Sequence, residues 1–193
     1  VYGFSWPSYN IEVCIHSGPS YARQAVINAM KQWNFSQCWF QSAYGLPSRP
    51  IYSLIVSDDP SAPIQIYFNE TQTTENWGYA HYQYWYNSTG YFTKVTCSIS
   101  ITLSLKDGRK LNDVAIKNVA LHELGHALGL DHVQRMGDLM NNKTGNFYDI
   151  HYPTTLNLYA LYQLSNLHKV NTIPRSYTLP SSIDYTTSPP FEA

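Results

Sequence analysis

At 193 residues the chain has the size of one domain with a sizeable core. A formal net charge of -1, with 13% charged residues, offers no basic field for nucleic acid or for an anionic membrane surface. No apolar run approaches the roughly 20 residues needed to span a bilayer, and the chain opens Val1-Tyr2-Gly3 without methionine, as a processed or trimmed form would.

In chain order, Tyr9 to Ile15 alternates apolar and polar residues and predicts a strand. Ser17 to Ser20 supply turn residues and a helix N-cap. The helix follows over Tyr21 to Asn34, with Ala25, Val26, Ala29, Met30 and Trp33 at the spacing of a core-facing stripe. Phe35 to Pro50 reads as a polar-aromatic loop, and Ile51 to Val56 and Ile64 to Phe68 as two further strands. Tyrosine-rich residues lie between 69 and 98, then Cys97 to Leu105 alternates strongly and predicts a strand. Asp107-Gly108 predicts a turn. Asn112 or Asp113 is placed to cap a helix running through Leu128. After Met140 comes a loop containing Gly and Asn, then a last helix capped by Thr154 or Thr155 and ending near Leu167. From Asn171 the chain is rich in Pro, Ser and Thr and lacks periodicity, as in a tail extended over the domain or a linker.

Several features fit an extracellular protein: 17 tyrosines, few lysines, and Asn-x-Ser/Thr sequons at Asn34, Asn69, Asn87 and Asn142. Secretion and glycosylation are therefore expected. Cys14, Cys38 and Cys97 allow one disulfide. Pairing Cys14 with Cys38 would tie the first strand to the segment after the first helix; three buried, unpaired cysteines is the alternative.

Chemistry concentrates in residues 122–132, His-Glu-Leu-Gly-His-Ala-Leu-Gly-Leu-Asp-His. His122 and His126, four apart, share one helix face, so their imidazoles can share a metal ion. Glu123 stands about 100° round the helix from its neighbour, placed to take a proton from water without becoming a ligand. Gly129 lets the chain leave the helix in a left-handed conformation and swing His132 back as a third ligand, with Asp131 the alternative. Three neutral histidines leave Zn²⁺ its full charge and an open position, the layout of a catalytic site.

With Leu139-Met140 following His132, the motif resembles that of metzincin zinc endopeptidases, and specifically their matrixin branch. Ser20 to Trp33 resembles the matrixin first helix, Ile64 to Phe68 the strand after it, and Thr155 to Leu164 the C-terminal helix. Val133 departs from the Ser or Thr that matrixins usually carry after the third ligand, and Asn141-Asn142 from the Tyr-Pro that follows their methionine. The chain thus looks like a divergent relative.

The resemblance implies an α/β (α+β) metzincin fold: a twisted, mixed five-stranded sheet with two long helices, and a smaller C-terminal subdomain holding the Met-turn and last helix. A catalytic domain would cover residues 1–168, its upper part about 1–131 and its lower about 132–168, with 169–193 a tail. It also implies one catalytic zinc on His122, His126 and His132, Glu123 as general base, Met140 beneath the metal, and a monomeric enzyme cutting extended peptides or unfolded protein before a medium or large apolar residue. The antiparallel edge strand would fall in the Tyr-rich stretch, with Tyr79, His81 and Tyr82 as candidate substrate contacts; a hairpin that merely shields the sheet edge is the alternative. Tyr148 is a candidate for oxyanion stabilisation. The loop before that strand offers one histidine and few carboxylates, so neither a second zinc nor calcium is predicted. Two other readings use the same residues: a silent zinc-containing peptide-binding module, against which Glu123 argues, and a zinc amidase.

Overall fold

The computed structural model describes residues 1–47, 51–142 and 148–192. Five strands form one mixed sheet: β1 (Asn10–Ile15), β2 (Ser53–Ser57), β3 (Ile64–Asn69), β4 (Gly78–Tyr86) and β5 (Phe92–Thr102), in the order β2-β1-β3-β5-β4. All neighbouring pairs are parallel except β4 with β5, so β4 is an antiparallel edge strand. Alternation sends Ile11, Val13, Ile15, Ile64, Ile66, Cys97, Ile99 and Ile101 to one face, where they join the hydrophobic core.

Two helices cover that face. Helix α1 (Ser20–Ala43) lays Ala22, Ala25, Val26, Ala29, Met30, Trp33 and Phe40 into the core. Helix α2 (Asp113–Ala127) is buried along almost its whole length and carries the histidine motif. The two are fastened where Trp33 Nε1 donates to the Leu121 carbonyl at 2.9 Å. Asn112 is the residue that caps α2, its side chain accepting from the Ala115 amide at 2.9 Å. Helix α3 (Thr155–Leu164) begins with a reciprocal box: Thr154 accepts from the Asn157 amide while the Asn157 side chain accepts from the Thr154 amide. Among the described residues no helix is long and apolar enough to cross a membrane.

The structure corrects the sequence reading at three points. Helix α1 does not stop at Asn34 but runs to Ala43, so most of the expected loop is helix; residues 48–50 lie outside the described residues. It begins at Ser20 rather than Tyr21, and its N-cap is Pro19 of the expected Ser17 to Ser20 segment, which makes no side-chain hydrogen bond. The Cys14–Cys38 disulfide is not formed, and Cys14, Cys38 and Cys97 are all free. Cys14 alternates with Val13 and Ile15 and so faces away from the helices, whereas Cys38 sits exposed on the outer side of α1.

The last residues lie over the domain. Thr154 and Thr187 form an antiparallel bridge, the Thr155 amide donates to the Thr186 carbonyl at 2.8 Å, and the Ser188 amide to the Pro153 carbonyl at 2.8 Å. Gln32 of α1 donates to the Pro189 carbonyl at 2.9 Å and accepts from the Phe191 amide at 2.8 Å. Residues 183–191 therefore strap α3 to α1. On the opposite side, the Asn34 carboxamide donates to the Leu54 carbonyl and accepts from the Leu54 amide, both at 2.9 Å, along the outer edge of β2.

Candidate metal centre and active-site cleft

Helix α2 places His122 and His126 one turn apart and buried. Gly129, at φ +106°, ends the helix in a conformation that a side chain would strain, and the Leu130 amide closes back on the Gly125 carbonyl at 2.9 Å. The chain then returns with the exposed His132. The Nε2 atoms of the three histidines stand 3.0 Å (122 to 126), 3.2 Å (122 to 132) and 3.2 Å (126 to 132) apart. Asp131 is not part of this cluster; its carboxylate accepts from the His132 amide at 2.7 Å.

The chemistry of the donor set fits a cation. His122 Nδ1 lies 2.7 Å from the Leu139 carbonyl and His126 Nδ1 2.8 Å from the Leu130 carbonyl. A carbonyl only accepts, so both Nδ1 atoms carry the proton and both Nε2 atoms offer bare lone pairs. Burial holds the His122 imidazole down at about 4 and that of His126 at about 3, against an ordinary value of 6.5, and lowers His132 as well. Neutral lone pairs converging this closely repel unless a cation sits among them. Zinc–nitrogen bonds of about 2.0–2.1 Å put tetrahedral ligand atoms about 3.3 Å apart, close to the spacing here.

Glu123 is buried beside this cluster, and burial pushes its carboxyl up to about 8. It stands against the first residue of the edge strand: a Cβ on Gly78 would come within 2.8 Å of Glu123 Oε1. Only a glycine lets β4 run this close to the carboxylate. A cleft of about 540 Å³ opens here, with Trp77, Gly78, Tyr79 and Ala80 on one wall and Asn141 and Asn142 on the other. The Trp77 carbonyl accepts from the Thr102 amide of the β5 side. By the alternation of an antiparallel pair, Gly78 and Ala80 then turn their backbone groups outward along the cleft.

The edge-strand candidates are divided by that alternation. Tyr79 lines the cleft and is exposed. Tyr82 points inward, its ring 4.6 Å from that of Tyr2 and 4.8 Å from that of Phe4. His81 stands exposed between them and does not line the cleft. Tyr148 packs edge to face on Trp77, with ring centroids 5.8 Å apart. Most of the loop expected after Met140 falls on residues 143–147, outside the described residues.

Met140 is fully buried, and its sulfur lies against the α2 backbone between the two helical histidines, where a Cβ on Gly125 would meet Sδ at 2.5 Å and Trp33 at 3.2 Å. A glycine inside a helix costs about 1 kcal/mol relative to alanine, and this contact explains its presence. Gly125→Ala is expected to lose about 1–2 kcal/mol in urea unfolding, because overpacking outweighs the propensity gained. A variant more stable than the parent would show that Met140 has room to move.

Two further features were not singled out from sequence. Tyr2 Oη lies 3.0 Å from His126 Nδ1, and its ring lines the cleft. Asp138 is wholly buried directly under the Met-turn. Asp138 carried no local signal, because three of the four groups that bond its carboxylate, on Thr154, Asn157 and Tyr185, come from further along the chain.

The matrixin family model (peptidase M10) matches residues 17–156. No curated protein matches the chain at a significant level of similarity. A family match across most of the chain, with three converging histidines on the expected scaffold, supports a zinc-dependent peptidase, and the chain belongs to the matrixin family.

Proposed function

We propose that the protein is an endopeptidase in which His122, His126 and His132 hold zinc and Glu123 moves the protons of peptide hydrolysis. The observation that carries this reading is the placement of the buried Glu123 carboxylate between the imidazole cluster and the outward-facing backbone of β4. Zinc held by the three imidazoles supplies Lewis acidity, which polarises a carbonyl and brings the pKa of water down to about 7. An extended substrate adds to β4 as one more strand, hydrogen-bonding to Gly78 and Ala80, and so brings its scissile bond over Glu123. Glu123 takes a proton from the attacking water and passes it to the leaving amine. Cations near the cluster favour the ionised carboxylate that burial alone disfavours.

The test uses zinc-loaded protein with an unfolded protein such as casein or gelatin. Cleavage is expected, abolished by phenanthroline and restored by added zinc, with no turnover of cell-wall or glycan amides. Stoichiometric zinc without cleavage of any unfolded protein would overturn the proposal and favour a peptide-binding module; turnover of the amides alone would favour an amidase.

A further inference from the structure

The three residues Asp138-Leu139-Met140 are the floor of the metal centre, and each is tied to it differently. The Leu139 carbonyl accepts from His122 Nδ1 at 2.7 Å. The Met140 carbonyl accepts from the Val133 amide at 3.0 Å, next to His132, and the Met140 side chain fills the space at Gly125. Moving this floor moves the supports of two histidines and the packing beneath the third.

Asp138 holds the floor from below. Its carboxylate is wholly buried and takes four donors: the Met140 amide at 2.8 Å and Asn157 Nδ2 at 3.0 Å on Oδ1, Thr154 Oγ1 at 2.8 Å and Tyr185 Oη at 2.8 Å on Oδ2. A buried carboxylate is tolerable only when its lone pairs are filled. Three of these donors come from the loop itself or from the start of α3. The fourth comes from the strap, nearly fifty residues on. The Tyr185 ring is itself clamped by the Arg135 guanidinium, 3.4 Å from the ring centre, and Arg135 belongs to the same loop as Asp138.

We propose that Tyr185 is a positioning residue for the metal centre, acting through Asp138 and Met140 on the orientation of His122 and His132. This rests on the reading of the three histidines as a zinc site. Without the phenol hydroxyl, Oδ2 loses a donor in a place water reaches poorly. The carboxylate then turns to recover one, and the bond from Oδ1 to the Met140 amide lengthens. Outer-shell partners of metal ligands change affinity by about 10–100-fold when lost; one bond further out, the low end is expected.

The test compares Tyr185→Phe with Thr155→Val. Thr155→Val breaks the strap's bonds to the Asp184 carbonyl and the Thr186 amide without touching Asp138. Zinc affinity is measured by competition with a chromogenic chelator, and exchange of the Met140 amide is followed by NMR in metal-free protein. Tyr185→Phe is expected to weaken zinc binding about 10-fold, to speed Met140 exchange well beyond wild type, and to lower kcat with KM little changed. Thr155→Val is expected to lower Tm and leave zinc affinity as it was. Wild-type zinc affinity and Met140 exchange in Tyr185→Phe would overturn the proposal, as would an equal loss of zinc affinity in both variants. A parent protein that binds no zinc would instead overturn the metal reading, and the exchange measurement would still decide whether Tyr185 holds the floor.

Discussion

Glu123→Gln should lower peptide hydrolysis by about 10³-fold, within the range of about 10²–10⁴ typical of a general acid–base group, while zinc content stays at one ion per chain. Glutamine matches glutamate in size and still fits against Gly78, so the cleft keeps its shape. It has no basic oxygen to receive the proton of water, and no proton to give the leaving amine. Zinc is retained because the ligand cluster comprises His122, His126 and His132 without Glu123. Burial pushes this carboxyl up, and a cation on the neighbouring imidazoles would draw it back toward the ionised form that accepts a proton. Turnover and zinc content are measured on the same preparation. A variant within tenfold of the parent would remove Glu123 from the proton path.

Asp138→Ala should produce the largest loss of stability, about 3–5 kcal/mol, because several donors lose their acceptor at once and each one left buried and unpaired costs about 1–3 kcal/mol. The substitution strands the Met140 amide, Asn157 Nδ2, Thr154 Oγ1 and Tyr185 Oη around a small cavity. Three separate parts of the chain lose their junction at once: the Met-turn, the cap of α3 and the strap. Urea unfolding of metal-free protein measures the loss without a contribution from zinc binding. A loss below about 1 kcal/mol, no more than one ordinary hydrogen bond, would mean that the donors find other acceptors.

The two kinds of information in the chain were unequally legible. The site helix announced itself because its requirements are local: two histidines four apart, a glycine to end the helix, and a third histidine after the turn. The strands β1 and β3 were legible for a similar reason, since alternation survives when one face meets the core. Helix α1 was cut short because Ser36 and Gln37 fall where its apolar stripe would continue, as Gln32 does within it. These residues are buried all the same: Gln32 and Ser36 bond the strap at Ser188, Pro189 and Phe191, and Gln37 donates to the Tyr52 carbonyl. A helix face partnered by hydrogen bonds looks, in sequence, like a face turned to water. The strap was invisible in the same way, since its contacts are mostly backbone and hydroxyl groups that leave no hydrophobic period. The departure at Asn141 also becomes intelligible, whereas Val133 joins the loop through its backbone and nothing in the structure explains its side chain. The Asn141 side chain donates to the Arg135 carbonyl at 2.8 Å, and Val133 bridges to Asn141, closing the loop over Asp138.

The clasp of Asn34 on Leu54 bears on how the molecule avoids sticking to itself. Strand β2 is the sheet edge opposite β4, and Ile55 and Val56 on it are exposed. Such an edge invites another chain to pair and begin aggregation. The Asn34 carboxamide presents one donor and one acceptor, as a neighbouring strand would, and occupies both outward groups of Leu54. One side chain thereby stands in for a missing strand near the start of β2. The same occupation removes the Asn34 nitrogen as a point of sugar attachment once the protein has folded, so a glycan on this sequon and a protected β2 edge exclude one another.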